Sequence, residues 1–83
     1  MRVEISSPPD GATYLIDPTL RREFQTLRLS AAAYRPVTWR VGSRAIGTAR
    51  PGERVEWPLE PGRHVLSASD SAGNRDSVTI TVR

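Results

Sequence analysis

The chain has 83 residues, 12 basic and 9 acidic side chains, a net charge of +3 and no cysteine. Every basic residue other than the single histidine is an arginine; with no lysine, a Walker lysine, a Schiff-base lysine and the Ser-x-x-Lys dyad of penicillin-recognising enzymes are all excluded. Length limits it to one domain over 1–83, and a chain this short buries only ~60% of its unfolded surface, so two tryptophans must carry much of the core.

Taken in order, Arg2 to Ser6 alternate with Val3 and Ile5 on one face, and Ser7-Pro8-Pro9-Asp10-Gly11 supplies a corner. Thr13 to Ile16 resumes the strand. Asp17 to Glu23 is a polar connection with room for one helical turn started by Asp17 or Thr19. From Phe24 to Ala33 the period is two, with Leu27, Leu29, Ala31 and Ala33 on one face. Tyr34-Arg35-Pro36 turns the chain into Val37, Trp39 and Val41, which alternate with Thr38 and Arg40. Gly42-Ser43 fits a two-residue hairpin into the strand from Arg44 to Thr48.

After Pro51-Gly52, Val55, Trp57 and Leu59 alternate with Glu56 and Pro58. Pro58 cannot donate to a ladder, so this strand is short, at an edge, or ends there. His64, Leu66 and Ala68 share a face opposite Val65, Ser67 and Ser69. A turn at Asp70 to Asn74 then leads into Val78, Ile80 and Val82. About seven short strands with no helical period predict an all-β, immunoglobulin-like antiparallel β-sandwich, with a five-stranded OB barrel as the competing fold. No apolar run approaches the ~20 residues of a membrane span.

The order Ile5-Ser6-Ser7-Pro8-x-Asp10-Gly11, Val37-x-Trp39-x-Val41-Gly42, Gly47, Trp57-x-Leu59-x-Pro61-Gly62-x-His64-x-Leu66, Asp70-x-x-Gly73 and Val78-x-Ile80-x-Val82 resembles the C-terminal domain of penicillin-binding protein 1C across essentially the whole chain. The resemblance implies a monomeric, non-catalytic accessory module excised from a periplasmic, bifunctional peptidoglycan synthase whose membrane anchor, glycosyltransferase and transpeptidase lie elsewhere in the polypeptide. It implies no cofactor and no catalytic residue here. The implied partner is a periplasmic protein, such as a bacterial α2-macroglobulin, or peptidoglycan itself.

Each chemically suggestive residue also has a structural reading. His64 is the only candidate base, but Ser67 falls on the opposite face at odd spacing, so a corner histidine bonded to backbone is expected. Asp70, Asn74 and Asp76 bring oxygens together as calcium requires, yet Arg75 lies among them and Asp and Asn at such places serve the turn. Trp39 and Trp57 lie on the apolar side of their alternation and are expected in the core, not on a sugar-stacking platform. Arg28, Arg40, Arg44, Arg50 and Arg54 read as outward charge. Among them a binding surface of Tyr34, Arg35, Arg40 and Arg44 is the sharpest candidate, placing guanidiniums opposite carboxylates or phosphates. Nucleic acid is not expected, since there is no recognition helix and few aromatics interleave the charge.

Overall fold

The computed structural model describes residues 3–83 and is a two-sheet sandwich. One sheet has three strands in the order β1 (Glu4–Ser7), β3 (Thr26–Ala32), β6 (Val55–Pro58). The other has five in the order β2 (Thr13–Tyr14), β8 (Arg75–Val82), β7 (Gly62–Ser69), β4 (Val37–Val41), β5 (Arg44–Ala49). Arg2, assigned to the first strand from its pattern, lies outside the described residues.

Alternation does what the sequence promised. Val37, Trp39, Leu66, Ala68, Val78, Ile80 and Val82 from the larger sheet meet Leu29 and Trp57 from the smaller one, and all are buried. Paired residues share a face, so the inner rows follow from register: Trp39 pairs with Ala68, and Leu66 with Val41 and Val78. β6 behaves as Pro58 dictates, ending there at the edge of the three-stranded sheet. The Gly42-Ser43 hairpin forms as expected, with Gly42 at φ +61, a conformation that suits glycine.

Two local expectations change. Thr13-Tyr14 does not extend the first strand. It crosses to the other sheet and pairs in parallel with Thr81 and Val82, giving eight strands where about seven were expected. Pro8 and Pro9 lack the N–H groups needed to continue pairing with β3. Beyond them the chain lies along the β8 edge, with Thr79 N–H donating to Asp10 Oδ1 at 2.8 Å and Gly11 N–H to the Thr79 carbonyl at 2.7 Å. The helical turn also falls later than expected, as a 3-10 turn over Arg22–Phe24. Asp17 instead closes a tight turn, its Oδ1 accepting from the Thr19 N–H and hydroxyl. The Thr19 hydroxyl, with its N–H, holds the Asp17 carboxyl below its ordinary value.

A hydrogen bond joins the sheets directly. Asp76 pairs with Ala68 and so belongs to the inner row, where its Oδ2 accepts from the Ile5 N–H of β1 at 2.9 Å.

Candidate functional site

His64, the third residue of β7, is a structural residue that ties the strand to the corner before it. Its Nε2 donates to the Glu60 carbonyl at 2.9 Å, placing the ring proton on Nε2, and its ring meets Trp57 edge to face at a centroid distance of 4.9 Å. Trading the ring for phenyl keeps the aromatic contact and loses one partly exposed hydrogen bond. His64→Phe should therefore lower stability by only ~1 kcal/mol in a denaturant titration, with the fold retained.

The carboxylates proposed for a cation are engaged with backbone. Asp70 Oδ1 accepts from the N–H groups of Ala72 and Asn74, both at 2.9 Å, and its Oδ2 accepts from Asn74 Nδ2 at 3.0 Å. Asp76 turns the other way, to Ile5 and to its neighbour Ser77. Among the described residues no group of acidic or histidine side chains is arranged to hold a metal.

The Asn74 side-chain amide, seconded by the N–H groups of the turn and by the charge of Arg35, outweighs partial desolvation and holds the Asp70 carboxyl below its ordinary value of 3.8. A depressed carboxylate contributes stability above its unfolded pKa, and that contribution disappears as pH falls through the folded value. The Asn74 amide resonances should accordingly show an inflection below pH 3.8 that Asp70→Asn removes.

The four residues of the expected binding surface do not come together as one patch. Arg40 points out of the five-stranded sheet, opposite the buried Trp39, and its Nη1 donates to Ser69 Oγ at 3.1 Å. Arg44 pairs with Val41, whose side chain is on the inner face, because a bulge between Trp39 and Arg40 lets Arg40 oppose Ala45. Arg44 therefore lies on the opposite side of the sheet from Arg40, in a shallow crevice with Ile46, Glu56, Trp57 and Glu60. Tyr34 is 78% exposed and leans toward the other sheet, beside Glu4, Ala32 and Gly52. Arg35 lies close enough to the Asp70–Asn74 turn for its charge to favour the Asp70 anion.

A residue absent from the expected set completes the arrangement. Arg75 pairs directly with Ser69, the residue that accepts from Arg40. Arg35, Arg40 and Arg75 thus surround the Ser69-Asp70 step. The signal was present in the sequence: a five-residue turn from Asp70 to Asn74 places Ser69 opposite Arg75, but only once the register of that hairpin is fixed.

The penicillin-binding protein C-terminus family matches residues 1–80. The chain belongs to this family. No curated protein matches it. Among solved structures, the fibronectin(III)-like modules of Clostridium thermocellum CbhA are similar to this penicillin-binding protein C-terminal domain over 98% of its length and 95% of theirs, with a TM-score of 0.72 and 24% identity. That likeness establishes the immunoglobulin-like sandwich. The family membership and the small β-sandwich together fit an accessory domain, and no helix among the described residues is long and apolar enough to cross a membrane.

Proposed function

We propose that this domain is a non-catalytic recognition module of a periplasmic peptidoglycan synthase, making contacts with a partner protein or the cell wall while bond formation takes place in other parts of the parent enzyme. The observation that carries the reading is the use of the one histidine and of the Asp70 and Asp76 carboxylates to hold corners, turns and sheets, while arginines are left on the outer face of the five-stranded sheet. Nucleophilic chemistry needs a base within reach of a nucleophile. Here the base donates to its own corner and Ser67 is on the other side of the strand.

Removing residues 1–83 from the parent synthase should leave glycan polymerisation and peptide cross-linking on lipid-linked substrate in detergent at the parental rate, while recruitment of the enzyme in cells falls. A fall in the purified enzyme's turnover, with the remainder folded, would contradict the accessory role.

A further inference from the structure

The net positive charge is divided unequally between the two sheets. Register fixes the outer face of the five-stranded sheet: Thr48, Thr38, Ser69 and Arg75 form one row, and Ala45, Arg40, Ser67 and Ser77 the next. Beyond them Val65 pairs with Thr79 and Arg63 with Thr81. This face carries three arginines and no carboxylate on its strands. On the outer face of the three-stranded sheet, Glu4 and Glu56 accompany Arg28, which is 3.6 Å from Glu56. The carboxylates bordering the larger face, Asp10 and Asp70, are turned to backbone N–H groups of β8 and of the Asp70–Asn74 turn.

Asp70 stays ionised beside Arg35, and Glu4 and Asp76 share a crevice with Arg75. Arg40 and Arg63, however, have no carboxylate on this face, so it keeps an excess of positive charge that favours an anionic partner and is screened by salt. The side chains of the face constrain the partner's form. Those between the arginines are small hydroxyls and one valine, with no aromatic ring on which a sugar could stack. Guanidinium is the cation best matched to carboxylate, through paired N–H donors, and arginine is enriched at protein interfaces. Arg40 is already held by Ser69, which reduces the rotamer freedom lost on binding.

We propose that the outer face of the five-stranded sheet, centred on Arg40 and Arg75 with Arg35 and Arg63 at its borders, docks an acidic polypeptide surface of a partner protein. The proposal rests on the recognition role above and names the face and the chemistry it takes. Arg44 and Tyr34 are outside it.

The probe is fluorescently labelled poly-L-glutamate, titrated against the domain by anisotropy. Binding should weaken as salt rises toward physiological ionic strength, where charges are screened over ~8 Å. Arg40→Glu with Arg75→Glu should weaken it on the order of tenfold or more, and Arg40→Gln with Arg75→Gln by less, because neutralisation adds no repulsion. Arg21→Glu with Arg22→Glu makes the same change in net charge on a distant loop and should alter binding by less than about twofold. Thermal melts of each variant confirm folding. Equal weakening by the two glutamate pairs would reduce the effect to bulk charge and overturn the proposal. So would binding to protein-free sacculi without binding to poly-L-glutamate, which assigns the face to the wall polymer. Either result leaves the accessory role intact, since that role fails only if deletion of the module lowers purified turnover.

Discussion

Trp39→Ala should unfold the domain or leave it marginally stable, with a loss of ~3–5 kcal/mol in urea or thermal denaturation. Trp39 is fully buried and pairs with Gly47 on one side and Ala68 on the other, so its ring fills space that neither neighbour can close. A domain of this size has a total stability at the lower end of the ~5–15 kcal/mol range, and no disulfide supports the remainder. The indole carries a compensating handicap. Its Nε1 has no hydrogen-bond partner among the described residues, and an unpaired buried donor costs ~1–3 kcal/mol. Trp39→Phe removes that donor along with part of the ring and should be distinctly milder than the alanine change. Equal losses for the two would show that a phenyl ring cannot fill the space the indole occupies.

Leu29→Ala is expected to cost ~2–5 kcal/mol although it lies on the smaller sheet. Leu29 is fully buried opposite Val55, and the three-stranded sheet has no apolar surface to bury except against the five-stranded one. Asp76 of β8 also accepts the Ile5 N–H of β1, joining the sheets at one end. The two sheets should therefore unfold together, giving one transition with coincident tryptophan fluorescence and far-UV signals for both Trp39→Ala and Leu29→Ala. A separate early transition for Leu29→Ala would mean that β1, β3 and β6 melt on their own.

The strands that alternate cleanly were legible from the sequence because one face must be buried and a slip by one residue inverts it. That is why Val37, Trp39, Leu66, Val78 and Ile80 fell where expected, and why Pro58 correctly ended an edge strand. The crossing of Thr13-Tyr14 was not legible, since two residues carry no periodicity and their partner, β8, is nearly seventy positions away. The later 3-10 turn was missed because Asp17 spends its side chain on Thr19 and starts a turn instead of a helix.

At the candidate surface the same limit separates what was found from what was missed. Outward placement of Arg40 follows from its neighbour Trp39, whereas its separation from Arg44 depends on a bulge that leaves Ile46 unpaired. No local residue pattern marks that bulge. Arg75 required knowing which strand β8 pairs with and in what register, and only then do Ser69, Arg40 and Arg75 become neighbours. Charge segregation between the two sheets is likewise a property of pairing: composition supplies the +3 and topology decides where it lies.

The most direct test of the proposed recognition face is a backbone amide shift map of the isotopically labelled domain during titration with poly-L-glutamate. Shifts should concentrate at Thr38, Arg40, Ser67, Ser69, Arg75 and Ser77 and leave Glu4, Arg28, Ser30 and Glu56 in place. Shifts centred on β1, β3 and β6, or spread evenly over every arginine, would contradict it.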